Sequence, residues 1–199
     1  MKLKKAKEDF IIASATKLFL DKSINEITIK DIANDVGISE ATLYRMFNKK
    51  ENIVIKVAIK LQTNLFQEYF DLDNDKKGID LIKQIYDVFL KIFEKNVEYY
   101  KFINEFDNYI LDKDIEVDEY EENMKLFYDR FLFAYEKGLN DGSIKKIQDT
   151  YLFYTTTAHA LLSLCKKLAS GAILKIDEKI NNLEEIKLLI DLIMFNLRN

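Results

Sequence analysis

Not one proline occurs in this chain of 199 residues. A proline inside a helix removes a hydrogen bond and clashes with the preceding turn, so nothing in this sequence forces a helix to break. The residues that dominate (Lys, Glu, Asp, Ile, Leu and Asn) include many good helix formers. The five glycines, at 37, 78, 138, 142 and 171, fall between segments of helical periodicity, where a left-handed backbone is most often needed. An all-α chain is expected, and 48% apolar residues suffice for a real core in one or two domains.

Apolar residues at spacings of three and four place a first helix over 6–20, with Phe10, Ile11, Ser14, Ala15, Leu18 and Phe19 on one side. Thr28 is a plausible N-cap for a short helix carrying Ile29, Ile32, Ala33 and Val36, which Gly37 closes. Ser39 caps the next, over 39–47. A longer helix runs from 48 or 49 to about 70, and further helical patterns cover about 78–95, 97–111, 118–137, 148–169 and 182–197. Nine helices are therefore expected.

The pair 28–36 and 39–47, joined by a turn containing glycine, satisfies the helix-turn-helix pattern. A helix turns by about 100° per residue, so Leu43 and Phe47 share an inward face. Thr42, Arg45 and Lys49 lie opposite, flanked by Tyr44 and Met46. Such a face fits the major groove, where arginine reads guanine edges and threonine meets a thymine methyl or a phosphate. Lys49 and Lys50 open the following helix, where backbone N–H groups and lysines together grip phosphate, while Thr28 and Lys30 can do so at the other side.

Charge agrees with a polyanion partner. The net charge of −4 conceals 12 Lys and Arg against 8 Asp and Glu in residues 1–60, net +4, and 18 against 26 beyond, net −8. A partner senses the local basic face rather than the total. Lys2, Lys4, Lys5 and Lys7 can add salt-dependent affinity.

The stretch "ITIKDIANDVGISEATLYRMFNKKENI" closely resembles the signature of the TetR family of transcriptional regulators, with Thr28, Ile32, Ala33, Gly37, Ser39, Thr42, Tyr44, Phe47, Lys50 and Glu51 in register. "IIASATKLF" resembles the family's preceding helix, and the likeness covers roughly residues 5–60. Ser23 stands where glycine is usual, Ala41 is the less common of two small residues, and Met46 replaces the usual histidine or tyrosine. The resemblance implies a DNA-binding domain over 1–48 and an effector-binding and dimerisation domain over 49–199. The implied DNA contacts are Thr28, Lys30, Ser39, Ala41, Thr42, Tyr44, Arg45, Lys49 and Lys50, with Met46 left out. The implied function is a homodimeric repressor, released from a palindromic operator by a small, largely apolar molecule.

Family members dimerise through their last two helices, and two sequence features agree. In 182–197 the apolar residues leave only a narrow polar stripe through Glu184, Lys187 and Asp191, so this helix needs cover on more than one side. The uncharged run Thr150–Cys165 makes the same demand. The expected interface is Ala158, Leu161, Leu162, Cys165, Ile186, Leu189, Ile190, Ile193 and Met194. Burial within one chain is the alternative for the uncharged helix.

The middle of the chain is rich in aromatic residues, most of them core. Phe66, Phe89, Phe93, Phe106, Phe127, Phe131, Tyr151 and Tyr154 are the candidates from which three to five rings line an effector pocket, with His159 beside them. His159, the only histidine, reads as a buried core or interface residue before it reads as a ligand contact.

Other classes are excluded or disfavoured. Thr150–Cys165 is 16 residues long with four threonines, short of the roughly 20 apolar residues that span a bilayer. The lone Cys165 makes no internal disulfide, which points to a reducing cytoplasm. No cofactor or metal is expected: in Asp71-Leu72-Asp73-Asn74-Asp75 a calcium loop fails because Lys76 stands where glycine is needed and Ile82 where glutamate is needed. Nor is there a paired nucleophile and base or a phosphate-cradling glycine loop, so no enzyme is expected. The rival reading is a helical protein-interaction module without specific DNA binding.

Overall fold

The computed structural model describes residues 2–73, 75–113, 115–171 and 179–199. Asn74, in the stretch that resembles a calcium loop, lies outside them. Among the described residues there are nine helices: α1 (Lys2–Asp21), α2 (Ile29–Val36), α3 (Glu40–Phe47), α4 (Lys50–Tyr69), α5 (Gly78–Lys95), α6 (Val97–Lys113), α7 (Asp118–Asn140), α8 (Thr150–Ala169) and α9 (Asn182–Leu197). The fold is all-α, as the periodicity predicts. α1 starts four residues earlier than expected, because the lysines ahead of it are good helix formers.

Local chemistry sets the ends of the short helices. Thr28 accepts from the Asp31 N–H at 3.1 Å while the Asp31 carboxylate accepts the Thr28 N–H at 2.8 Å, a reciprocal capping box that opens α2. Gly37, at φ +68°, closes α2 in the left-handed region, and Ser39 caps α3 through the Thr42 N–H.

Two of the glycines serve another purpose than a left-handed turn. Gly78 and Gly138 bring the start of α5 against the end of α7 so closely that a Cβ on Gly78 would sit 2.1 Å from the Gly138 nitrogen. Periodicity does not reveal such an approach, because it depends on residues 60 positions apart.

The apolar residues gather into two cores. One is built on α5, which packs against α6, α7, α8 and α9, with Tyr86, Tyr100 and Phe131 at its centre. The other joins α1, α2, α3 and the first half of α4, and it takes in Phe102, Ile103, Phe106 and Tyr109 from α6. α6 therefore contributes to both, and Tyr99 and Leu162 border both.

Candidate nucleic-acid interface

α3 is anchored by Leu43 and Phe47, 0% and 3% exposed, on the core of α1–α4. That anchoring turns Ala41, Tyr44 and Arg45 to solvent, Tyr44 with half its surface exposed. Lys30, Lys49, Thr28 and Ser39 are exposed around them, and Thr42 is half-buried with its hydroxyl 3.0 Å from that of Ser39. The hydroxyl pair holds the Thr42 side chain at the first turn of α3. Met46 is half-buried and packs on the core.

Lys50 behaves differently from the other eight. Its ammonium is half-buried, donates to the Ile24 carbonyl and lies 5.9 Å from the centre of the Tyr109 ring. Burial holds its pKa below the usual lysine value, against the opposing pull of Glu51. Half-buried and bonded to a protein carbonyl, Lys50 ties α4 to the turn before α2, which sets it apart from the other expected contacts.

The same residue is held from its other side. The Ile24 N–H donates to Glu105 of α6 at 2.7 Å, so the turn between α1 and α2 is clamped by α4 through Lys50 and by α6 through Glu105. Glu51 ties the next contact, pairing with Lys113 at 3.1 Å and accepting from the Tyr109 hydroxyl at 3.3 Å. Although desolvation opposes it, hydrogen bonds from the backbone and Lys113 keep the Glu51 carboxyl below its usual pKa. The sequence held one trace of this clamp: Glu105 is an acid set among Phe102, Phe106 and Tyr109 on the apolar side of α6.

Residues 11–57 match the signature described as bacterial regulatory proteins, tetR family. That match assigns the N-terminal region, residues 11–57, to the tetR family. Among curated proteins none matches in sequence. Among solved structures it is similar to a TetR transcription regulator from Haloarcula marismortui, at TM-score 0.81 and 12% identity over 98% of this chain and 100% of that one. It is similar also to a regulator from Saccharomonospora viridis in complex with choline, at 0.75 and 16% over 98% and 99%. A third is the ketosteroid transcriptional regulator KstR2 of Mycobacterium tuberculosis, at 0.64 and 15% over 97% and 95%. At these identities the likeness is one of fold, and it extends through both cores. Residues 11–57 thus carry a TetR-type helix-turn-helix, within an all-α fold shared with these regulators.

The residues expected at a dimer interface are mostly turned inward. Leu161, Cys165, Ile186, Ile190, Ile193 and Met194 are 0–6% exposed inside the chain's own core, while Ala158, Leu162 and Leu189 are half-buried. What α9 leaves outside is a different apolar stripe, Leu188, Leu192 and Phe195, at 60%, 54% and 78% exposure. α8 leaves Leu152, Thr156, Ala160 and Ser163 outside. α9 is apolar on both faces and α8 carries small and hydroxyl residues rather than charges on most of its outer one, so periodicity alone does not say which face meets the chain's own core.

The expected pocket residues are dispersed. Tyr151 and His159 are exposed, and Phe106 belongs to the core of α1–α4. Phe131 is wholly buried, stacked among Tyr86, Tyr135, Phe153 and Tyr154. Phe89 and Phe93 are half-buried against the α5 core. Phe66 and Phe127 come together with Phe70, centroids 4.9–5.6 Å apart, in the seam between α4 and α7. Two open grooves, one between α1 and α2 and one at the end of α7, lie away from these rings.

Burial pushes the Cys165 thiol up to about 12, and raises the Tyr86, Tyr99, Tyr100, Tyr120 and Tyr154 phenols well above their usual value. Cys165 is therefore a neutral, inert thiol. Among the described residues no group of three or more His, Cys, Asp or Glu is placed to hold a metal ion, and no helix is long and apolar enough to cross a membrane.

Proposed function

We propose that this regulator is a homodimeric repressor that leaves a palindromic operator when a small, largely apolar molecule binds its C-terminal half. Residues 1–48 are the DNA-binding unit and 49–199 the effector and dimer unit, coupled through α4 and α6. α3 enters the major groove: Arg45 and Thr42 read base edges, while Thr28, Lys30, Ser39, Ala41, Tyr44 and Lys49 position the helix on the backbone.

A second copy covers Leu188, Leu192 and Phe195 of α9 together with the outer face of α8, removing from water an apolar stripe that a monomer leaves exposed. The two-fold axis then sets two α3 helices about one turn of DNA apart, roughly 34–36 Å, the spacing of two half-sites.

The observation that carries the ligand response is the double grip on the backbone of Ile24. An effector that binds better when α4 or α6 is displaced moves this residue, and with it α2 and α3. Its differential affinity for the two arrangements is what lowers operator affinity. The lever is therefore shared between α4 and α6.

The test is a gel shift of the purified protein on the DNA upstream of its own gene, with unrelated competitor and a salt series. A specific, salt-sensitive shift is expected. Absence of a specific shift, with an interaction that tolerates loss of Arg45 and Lys49, would instead identify a protein-interaction module.

A further inference from the structure

The side chain of Gln62, midway along α4, is 2% exposed, and its carbonyl oxygen has no hydrogen-bond partner among the described residues. Its amide nitrogen lies 2.9 Å from the Met124 sulfur of α7. The amide is thus oriented by α7, with its acceptor left over. An enclosed carbonyl without a donor is costly, a penalty that proteins retain where something else supplies the donor.

Next to Gln62 on the same face of α4, one turn on, stands Phe66, which with Phe70 and Phe127 forms the aromatic seam. Met124, 41% exposed, stands between Gln62 and solvent, and a thioether on an unbranched chain moves aside at little cost. From Gln62 to Phe70 α4 advances about 12 Å, the reach of an elongated apolar molecule.

Resting on the reading of this chain as an effector-responsive regulator, we propose that the effector lies in the α4–α7 seam. It is an elongated apolar molecule whose inner end carries a hydroxyl or N–H that donates to the Gln62 carbonyl. Phe66, Phe70 and Phe127 take its apolar body, and Met124 swings out to admit it. Discrimination follows from the unpaired acceptor: a ligand of the same length with only acceptors at that end leaves the Gln62 oxygen unsatisfied and faces it with a second lone pair. A buried water can satisfy the same oxygen, in which case the end group of the ligand is immaterial.

The test compares decanol with decyl methyl ether, which keeps the oxygen and lacks the donor, by calorimetric titration of the full chain. Decanol is expected to bind at least about tenfold more tightly than the ether, the ratio set by one lost donor to a buried acceptor. In Gln62→Leu the preference disappears, while the melting temperature holds or rises because an unsatisfied polar group has been removed. The wild-type comparison needs no variant, so it stands even if Gln62→Leu folds poorly. Equal affinities, binding of neither compound, or a preference that survives Gln62→Leu would overturn the proposal. The same preparations are assayed on the operator without either compound: intact DNA binding separates failure of this inference from failure of the regulator itself.

Discussion

The helix-turn-helix and the α8–α9 pair are both built from short-range helical patterns, yet only the first is readable residue by residue. In α2 and α3 the outward residues are polar or charged and the inward ones apolar, and each turn has its own cap in Thr28, Gly37 and Ser39. In α9 the inward and outward faces are both apolar, Ile186, Ile190 and Ile193 within and Leu188, Leu192 and Phe195 without, and the outer face of α8 is largely uncharged. A surface that meets DNA differs chemically from a core, whereas a surface that meets a copy of itself resembles one. Hydrophobic pattern therefore separates inside from outside in the first region and not in the second.

Glycine is the sharpest place to break that comparison. Gly78→Val forces a side chain into the backbone of Gly138 and should cost about 3 kcal/mol, or prevent folding, in a urea unfolding curve. Gly37→Ala meets no atom within 4 Å and is strained only by its positive φ, so about 1–2 kcal/mol is expected. Equal losses would mean that the α5–α7 approach is looser than described.

The outward stripe of α9 comes next. Changing Leu192 and Phe195 together to glutamate should leave the thermal unfolding of a single chain nearly unchanged, since both side chains are exposed. It should convert a dimer to a monomer in analytical ultracentrifugation and weaken operator binding by about 100-fold, because the second half-site no longer binds intramolecularly. A dimer that survives this change has its two-fold axis elsewhere.

Lysines 49 and 50 are adjacent in sequence and should behave oppositely. Lys49→Ala should flatten the slope of log affinity against log salt by about one, with stability unchanged. Lys50→Ala should lower stability by about 1–2 kcal/mol through loss of its bond to the Ile24 carbonyl, with the salt slope intact. A reduced slope in both would return Lys50 to the DNA contacts.

The smallest effect is a pH dependence local to α2. Hydrogen bonds from the Thr28 hydroxyl and the Thr28 N–H hold the Asp31 carboxyl below the usual aspartate value. A group whose folded pKa is depressed contributes above its unfolded value and loses that contribution as pH falls through the folded one. Amide exchange at Thr28 and Asp31 should therefore be protected at neutral pH and loosen only in acid below about pH 4. An Asp31→Asn chain should lack that acid step.

The all-α fold, the helix count, and the α5 and α9 boundaries were legible because a proline-free chain with regular apolar spacing leaves few alternatives. So was the solvent-facing side of α3, since two buried anchors four residues apart fix the rotation of so short a helix. What stayed hidden depends on partners far along the chain. Glu105 meets Ile24 across 81 residues, Lys50 turns inward to a carbonyl 26 residues away, and Phe106 joins the N-terminal core instead of the aromatic one. His159 is exposed although histidine among apolar neighbours reads as buried, because it falls on the outer side of α8.

Arg45 tests the central claim, that α3 reads DNA. Affinities of the wild-type chain and of Arg45→Ala are measured by fluorescence anisotropy on the operator and on a set in which each half-site base pair is changed in turn. Arg45→Ala should lose about 1–3 kcal/mol on the operator and become indifferent to one base pair while keeping its preferences at the others. A uniform loss across every sequence, or no loss at all, would contradict base reading by α3.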